Sequence, residues 1–229
     1  MENRGPIGLT RKFSTKKARQ VQLRLAQCVN DTDHFLNPPR TICGLDVAYL
    51  PSEAIGAAVV LTFPDLQVIE KRLVRCQVPV PYIPTFLSFR EYAPLSMVFN
   101  TIQHQPDLCF VDAHGQAHPY KLGAASHFGV LKNVPTIGVA KKLLCGEVQK
   151  KTAFFDDIYL NNEVIGARVN TKKGCNPIFV SVGHRISLPS AVQITLSCTT
   201  KYRLPEPTRL AHNLAKETQQ KIKDGDIVE

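Results

Sequence analysis

Two aspartates interrupt apolar stretches of the sequence, and their positions indicate chemistry. Asp46 lies within Gly-Leu-Asp-Val-Ala-Tyr, and Asp112 ends Leu-Cys-Phe-Val-Asp. A carboxylate inside an apolar strand is costly to bury unless it has a partner or a metal ion. Glu91, near the start of a predicted helix, can point toward the same edge of the sheet. Three carboxylates together would form a hard oxygen site suited to Mg²⁺ or Mn²⁺.

The charge of the chain indicates what such a site would act on. The 28 Lys and Arg residues outnumber the 19 Asp and Glu residues, which gives a formal net charge of +9 and favours a polyanionic partner. A metal ion can lower the pKa of an attacking water and stabilise the leaving oxygen of a phosphodiester. Position alone leaves open that Asp46 and Asp112 are ordinary strand-end or capping carboxylates.

Hydrophobic periodicity and turn residues predict the elements that position these carboxylates. The predicted strands are 41–49, 55–63, 67–78, 107–112, 136–140, 164–171 and 178–182, and the predicted later helices are 86–103, 123–132, 189–198 and 208–222. A first helix, capped by Ser14 and ending before residues 30–33, has an apolar stripe of Val21, Leu23, Leu25, Ala26 and Val29. This order predicts an α/β fold whose central mixed sheet has three antiparallel strands followed by helix-linked parallel strands, flanked by helices.

The chain as a whole has the properties of one domain. Its 229 residues are 44% hydrophobic, and we find no linker or repeat, so we expect a single domain over 1–229 with flexible ends at 1–13 and 223–229. The first 20 residues lack an apolar leader, and no run is long enough to cross a bilayer. We therefore expect a monomer without membrane contact, located in the cytoplasm, or in the nucleus or nucleolus if the source is eukaryotic.

Six strings of residues carry a family resemblance. They are Pro-Tyr-Ile-Pro-Thr-Phe-Leu-Ser-Phe-Arg-Glu (81–91), Asp-Ala-His-Gly-Gln-Ala-His-Pro (112–119), Gly-Ala-Ala-Ser-His (123–127), Pro-Thr-Ile-Gly-Val-Ala-Lys-Lys (135–142), Ile-Phe-Val-Ser-Val-Gly-His (178–184) and Leu-Pro-Glu-Pro-Thr-Arg-Leu-Ala-His (204–212). Together they resemble the endonuclease V family, in the family's order, from about Val21 to Lys216. The resemblance implies a ribonuclease H-like fold.

The resemblance also implies a reaction and the residues that perform it. The reaction is hydrolysis of the second phosphodiester bond 3′ to a deaminated purine, deoxyinosine in DNA or inosine in RNA, which leaves 3′-OH and 5′-phosphate ends. It implies Mg²⁺, with Mn²⁺ as a substitute, and a role in DNA repair or inosine-RNA processing. Carried over, Asp46 and Asp112 bind the metal, while Glu91 and His212 complete the site, His212 directly or through water. Lys141 would lie beside the scissile phosphate, where its charge offsets developing negative charge.

The same resemblance assigns substrate-binding residues. The proline-rich loop would act as a strand-separating wedge, with Tyr82 filling the gap left by the displaced base. Pro81, Ile83 and Pro84 belong to this wedge. The base pocket would be lined by Thr85, Leu87, Ala113, Gly115 and Ala124, and Arg90 and His118 would lie near the active centre.

The sequence departs from the family pattern at two positions. The residue after Asp112 is usually Gly and is Ala113 here, and Thr85 stands where Gly is common. If the backbone at either position needs a positive φ, the added Cβ is penalised, and the base preference would shift. The departures concern recognition and leave the metal residues unchanged.

Three readings remain open at this level. Nothing in the strings separates a DNA substrate from an RNA substrate, where the 2′-hydroxyl would matter. A structure-selective nuclease of the same fold would have no evident need for the tyrosine wedge. A catalytically silent nucleic-acid-binding module would have no evident need for the acidic cluster with its lysine and histidine.

Overall fold

The computed structural model describes residues 13–149 and 155–225, which form one sheet with helices on both faces. The strands are β1 (Thr41–Tyr49), β2 (Glu53–Thr62), β3 (Val68–Gln77), β4 (Leu108–Val111), β5 (Thr136–Ala140), β6 (Glu147–Gln149), β7 (Phe155–Leu160), β8 (Glu163–Val169) and β9 (Ile178–His184). The helices are α1 (Thr15–Ala26), α2 (Leu87–Asn100), α3 (Ala124–Lys132), α4 (Leu188–Ser197) and α5 (Glu206–Lys223).

The sheet is mixed, as the sequence predicts. Its strand order is β3-β2-β1-β4-β5-β9-β8-β7-β6. The first three strands are antiparallel, and β1, β4 and β5 pair in parallel. The remaining strands extend this centre by antiparallel pairing from β5 to β6. The arrangement confirms the predicted α/β class and is consistent with a ribonuclease H-like fold.

Strands β6 and β7 are absent from the sequence prediction, which assigns no element between residues 141 and 163. Strand β7 contains two buried acidic residues, Asp156 and Asp157, so it lacks a continuous apolar pattern. Asp156 lies opposite Arg168 of β8, and Arg168 Nε donates to its carboxylate over 2.9 Å. A cross-strand ion pair thus replaces the apolar contact that periodicity would detect.

Each face of the sheet has its own apolar core. Ile42 of β1 belongs to the core that α4 and α5 cover, whereas Cys43 and Leu45 belong to the core beneath α2 and α3. This division follows from the alternation of side chains along a strand. Asp46 of β1 and Asp112, directly after β4, follow these apolar residues along their strands.

Two glycines let helices approach the sheet unusually closely. A Cβ on Gly44 of β1 would lie 1.9 Å from the carbonyl oxygen of Pro207, in the first turn of α5. A Cβ on Gly56 of β2 would lie 2.5 Å from the carbonyl oxygen of Pro94 in α2. Neither contact leaves room for a side chain, so both helices rest directly on the strands.

Helix α1 corrects one prediction. Ser14 is the N-cap, and its side chain accepts a hydrogen bond from the amide of Lys17, as expected. The predicted apolar stripe is wrong at Val21 and Leu23, which are 43% and 47% exposed, whereas Leu25, Ala26 and Val29 are half-buried. The buried residues of this helix are Ala18 and Gln22, so a polar residue takes the place that periodicity assigns to an apolar one.

The ends of the chain lie partly inside the described structure. Phe13 packs its ring edge-on against Phe86 and Phe89, and α5 continues to Lys223. Residues 1–12 and 226–229 of the expected flexible ends lie outside the described residues. Among the described residues, no helix is both long enough and apolar enough to cross a membrane.

Glu70 of β3 is a buried carboxylate with a structural role. It accepts hydrogen bonds from the backbone amides of Gln103 and His104, each at 2.9 Å, and from Arg72 Nε at 2.6 Å. Burial alone would raise its pKa, but these hydrogen bonds lower the pKa of Glu70 to about 2. Because the folded pKa lies below the ordinary 4.5, the charged form stabilises the fold above about pH 4.5.

We expect Glu70→Gln to lower the free energy of unfolding at pH 7 by about 2–3 kcal/mol, since hydrogen bonds to buried charged groups are worth roughly that much. Urea denaturation between pH 7 and pH 3 measures the effect. The difference from wild type should shrink as the pH falls from about 4.5 toward 2, because Glu70 becomes protonated. Glu53→Gln, which breaks the more exposed pair with Arg75, is the control and should cost less than about 1 kcal/mol. Equal losses in both variants would contradict the assignment.

Candidate active site

Two aspartates and one histidine converge where β1 and β4 run side by side. Asp112 directly follows β4, and its amide donates to the carbonyl of Leu45 over 3.1 Å, which places it beside Asp46. His212 Nδ1 of α5 lies 2.8 Å from Asp46 Oδ2 and 3.5 Å from Asp112 Oδ2. Each residue offers one ligand atom, and these atoms all lie within 4.8 Å of one another. Together they form the carboxylate–histidine cluster.

Lys141 approaches the same cluster from the neighbouring strand. It directly follows β5, and its Nζ lies 2.6 Å from Asp112 Oδ2. The Asp112 side chain is only 8% exposed, whereas Lys141 is 34% exposed. The ammonium group can therefore neutralise a buried carboxylate while one side remains open to a substrate.

Glu91 of α2 faces the cluster from the other side of the sheet. Burial, reinforced by the charges of Asp46 and Asp112, raises the pKa of Glu91 to about 8. Burial and the charge of Asp46 also raise the pKa of Asp112, against the opposing effect of Lys141. Three carboxylates thus repel one another at one point of the sheet. Oxygen donors with one imidazole suit a divalent cation, so these residues could hold a metal ion.

Arg90 acts on the loop beside the site. Its guanidinium carbon lies 4.3 Å from the centroid of the Tyr49 ring, and its Nη1 donates to the carbonyl of Val80. Burial and the charge of Glu91 raise the pKa of Tyr49. Arg90 therefore ties the proline loop to β1, next to Glu91.

A cavity of about 450 Å³ opens directly beside the cluster. Its walls are Tyr82, Thr85, Leu87, Ser88, Asp112, Ala113, His114, His118, Gly123, Ala124, Ala140, Lys141, Lys142 and Leu144. Asp112 belongs to both the cluster and the cavity wall, and its partner Lys141 also lines the cavity. A group held in the cavity would consequently lie within reach of the carboxylate of Asp112.

The proline loop, residues 78–86, forms the rim of this cavity. It contains neither helix nor strand, and Tyr82 is 67% exposed at its tip. Pro81 and Pro84 are exposed and Ile83 is half-buried, and none of these three belongs to the cavity wall. The loop therefore presents one aromatic ring to solvent on a backbone restricted by proline.

The two departures from the family pattern differ in backbone conformation. Thr85 has a φ of +69°, in the left-handed region, whereas Ala113 is absent from the positive-φ positions among the described residues. A β-branched residue is rare at positive φ, and such strain costs about 1–3 kcal/mol. The penalty for a Cβ at positive φ thus applies to Thr85, and its effect on base preference stays a prediction.

Gly115, predicted to line the base pocket, does not belong to the cavity wall and lies behind it. A Cβ there would lie 2.1 Å from the carbonyl oxygen of Val182, and its amide donates to Ser181 Oγ over 2.8 Å. Its lack of a side chain lets the segment after β4 pack onto β9. The remaining predicted pocket residues, Thr85, Leu87, Ala113 and Ala124, all line the cavity.

His118 is a neutral wall residue. It is 5% exposed, and its Nδ1 accepts a hydrogen bond from the amide of Tyr120 over 3.2 Å. Burial, followed by the charges of His114 and Arg19, lowers the pKa of His118 to about 4. At neutral pH it therefore carries no charge for a phosphate.

Several wall residues are not among the predicted site residues. They are Ser88, His114, Gly123, Ala140, Lys142 and Leu144. The Ser88 hydroxyl is buried and has no hydrogen-bond partner among the residues that the structure describes. Ser88 lies within the string 81–91, so the string located it, but serine at that position carried no pattern of its own. Leu144 follows the last quoted residue of its string, and no signal marked it.

Comparisons with known proteins agree with this geometry. A sequence model of the Endonuclease V family matches residues 23–213. The Endonuclease V of Trichormus variabilis is 44% identical over 208 residues, which are 89% of this chain and 94% of that protein. The crystal structure of Endonuclease V from Streptomyces avermitilis superposes with a TM-score of 0.86 at 34% identity, covering 92% of this chain and 95% of that chain.

A third relative has been solved with nucleic acid. Endonuclease V of Ciona intestinalis, in complex with a 24mer DNA containing an inosine followed by a ribo-adenosine, superposes with a TM-score of 0.83 at 30% identity. The match covers 90% of this chain and 98% of that chain. The fold and the site define a nuclease, a hydrolase of phosphodiester bonds. Within that class, the chain belongs to the Endonuclease V family.

The geometry of the cluster predicts that Asp46 and Asp112 contribute to metal affinity. We expect Asp46→Ala and Asp112→Ala each to weaken Mn²⁺ binding by at least about tenfold, a loss that removal of even an outer-shell partner commonly produces. Electron paramagnetic resonance of free Mn²⁺ during titration measures the affinity. Asp65→Ala, an exposed turn residue, is the control and should bind as wild type does. Unchanged affinity in both cluster variants would remove these residues from the metal site.

Proposed function

We propose that the protein is a Mg²⁺-dependent endonuclease that recognises a deaminated purine, deoxyinosine in DNA, inosine in RNA, or both. It hydrolyses the second phosphodiester bond 3′ to that base and leaves 3′-OH and 5′-phosphate ends. The observation that carries the proposal is that Asp112 of the carboxylate–histidine cluster and its partner Lys141 both line the cavity. The inosine-containing DNA bound by the Ciona intestinalis relative supports it.

The residues of the cluster take distinct roles in this reaction. Asp46 and Asp112 would hold Mg²⁺, for which Mn²⁺ can substitute, with Glu91 and His212 completing the site directly or through water. When bound, the ion lowers the pKa of the attacking water and stabilises the leaving oxygen. Lys141, 2.6 Å from Asp112, places a positive charge where negative charge develops on the phosphate.

Recognition falls to the cavity and its rim. A base must leave the stack before a pocket can contain it, and this unstacking costs a few kcal/mol. Tyr82 is exposed at the rim and can stack in the gap that the base leaves. Thr85, Leu87, Ala113 and Ala124 give the cavity walls that fit a flat, uncharged base, and the neutral His118 adds no charge.

The biological setting follows from the substrate. Deaminated purines in DNA call for repair, and inosine in RNA calls for processing, so the enzyme would act on either class of nucleic acid in the cytoplasm, or in the nucleus or nucleolus of a eukaryotic cell. One chain contributes both the cluster and the cavity wall, which supports action as a monomer.

Strand cleavage of matched DNA and RNA oligonucleotides, each with or without one inosine, tests this function. In Mg²⁺ we expect a nick between the first and second nucleotides 3′ of inosine, and no nick in EDTA. Asp46→Ala and Asp112→Ala should bind the oligonucleotide without cutting it, while Asp65→Ala should cut normally. Cleavage indifferent to inosine would favour a structure-selective nuclease, and wild-type binding without cleavage would favour a silent binding module.

Tyr82→Ala is expected to weaken binding of inosine-containing oligonucleotides by about 1–3 kcal/mol, the usual contribution of one base stacked on an aromatic side chain. Because Tyr82 is exposed, the free energy of unfolding should change by less than about 0.5 kcal/mol. Fluorescence anisotropy in EDTA and urea denaturation measure the two quantities. Tyr82→Phe keeps the ring and should bind as wild type does. A large loss of stability with unchanged affinity would contradict the wedge role.

A further inference from the structure

One polar face of α1 connects the two loops that carry the cavity wall. Gln22 is fully buried, and its Nε2 donates to the carbonyl of Thr85 over 2.9 Å and to that of Leu122 over 3.1 Å. Thr85 is the second-last residue of the proline loop, and Leu122 directly precedes the wall residues Gly123 and Ala124. A single buried amide therefore connects the two loops that contribute to the cavity wall.

Arg19, one helical turn before Gln22, makes a second link between the same loops. Its guanidinium carbon lies 4.3 Å from the ring centroid of Phe86 and 3.3 Å from that of Tyr120. Its Nη2 donates to Thr85 Oγ1 over 2.8 Å, and its Nη1 donates to Gln22 Oε1. The guanidinium is thus fixed by two rings and two hydrogen bonds, which suits its planar shape.

Both links end on the one wall residue with a disfavoured backbone. Thr85 holds a φ of +69°, which a β-branched residue keeps only where its surroundings over-determine it. Arg19 binds its side-chain hydroxyl and Gln22 binds its main-chain carbonyl. The side chain and the carbonyl of Thr85 are therefore both held by hydrogen bonds. Because a change in φ would move both groups, these bonds oppose a return to negative φ.

We propose that Arg19 and Gln22 are positioning residues for base recognition, which hold Thr85 in the left-handed conformation and fix the spacing of the two cavity walls. The inference rests on the proposed function, because it assigns the cavity to the displaced base. Neither residue belongs to the cavity wall or to the carboxylate–histidine cluster. Gln22 therefore acts through Thr85 and Leu122, and Arg19 acts through Thr85 and the rings of Phe86 and Tyr120.

The consequence concerns selectivity more than chemistry. Hypoxanthine and adenine differ at one edge of the ring, so a pocket separates them only if its hydrogen-bonding groups stay in place. Loosening one wall would weaken binding of the correct base and admit the wrong one. Asp46 and His212 lie on β1 and α5, Asp112 and Lys141 directly follow β4 and β5, and Glu91 lies on α2. None of these residues is hydrogen-bonded to Arg19 or Gln22 in the described structure, so the cleavage step itself should proceed at its normal rate.

Steady-state cleavage of an inosine oligonucleotide and its adenine counterpart in Mg²⁺ tests the proposal. We expect Arg19→Ala and Gln22→Met each to raise KM for the inosine substrate about tenfold, with kcat within about twofold of wild type. The ratio of kcat/KM for inosine over adenine should fall. Arg24→Ala, an exposed arginine on the same helix, is the matched control and should leave both constants unchanged.

Rescue through Thr85 separates positioning from general stability. Glycine adopts positive φ without a penalty, so Thr85→Gly in the Arg19→Ala background should bring KM back to within about threefold of wild type. If Arg19→Ala does not fold, Arg19→Lys replaces it, since lysine keeps the charge but loses the planar contacts. Thermal melting shows which variants are folded.

The outcomes are distinguishable. Folded Arg19→Ala and Gln22→Met enzymes with wild-type KM and selectivity would overturn this inference while leaving the proposed function intact. So would a loss of kcat alone, or a raised KM that Thr85→Gly does not correct. A wild-type enzyme that cuts without regard to inosine would instead overturn the proposed function, and this inference with it.

Discussion

The close seating of two helices on glycine is the constraint from which the active site follows. Pro207 of α5 rests on Gly44, and Pro94 of α2 rests on Gly56, at separations that exclude any side chain. His212 lies five residues after Pro207, and Glu91 lies three residues before Pro94. Because the helices cover opposite faces of the sheet, these seats bring an imidazole and a carboxylate to the same edge from both sides. A displaced helix would move its functional group away from Asp46 and Asp112.

The electrostatics of two glutamates show how the fold separates structure from function. Glu70 is surrounded by backbone amides and Arg72, and its pKa falls to about 2. Glu91 is half-buried beside Asp46 and Asp112, and its pKa rises to about 8. The Glu70 carboxylate has hydrogen-bond donors from the protein around it. The Glu91 carboxylate instead lies near two other carboxylates of the same charge. Perturbation of this second kind is typical of functional sites, because a bound cation would reverse it.

The sequence predicts features that arise from neighbouring residues better than features that join residues far apart in the chain. Each aspartate interrupts an apolar strand, so the sequence predicts that adjacent strand ends can bring Asp46 and Asp112 together, and the structure does so. The position of Glu91 near the start of a predicted helix directs it toward the same edge, whereas Lys141 and His212 follow from the family resemblance alone, because no local pattern connects them to the aspartates. Strand β7 escaped detection since its buried residues include Asp156 and Asp157, and Gln22 escaped because a buried amide satisfies carbonyls 63 and 100 residues away.

Thr85 shows why a departure from a family pattern need not be a defect. A glycine at this position adopts the left-handed conformation by itself, so the loop geometry is a local property. With threonine, the same geometry depends on Arg19 at its hydroxyl and Gln22 at its carbonyl. Contacts from another element thus supply what the conformational freedom of glycine would otherwise supply. The shape of the cavity then becomes a tertiary property of the chain, coupled to the seating of α1, and the threonine can be understood only together with the helix that holds it.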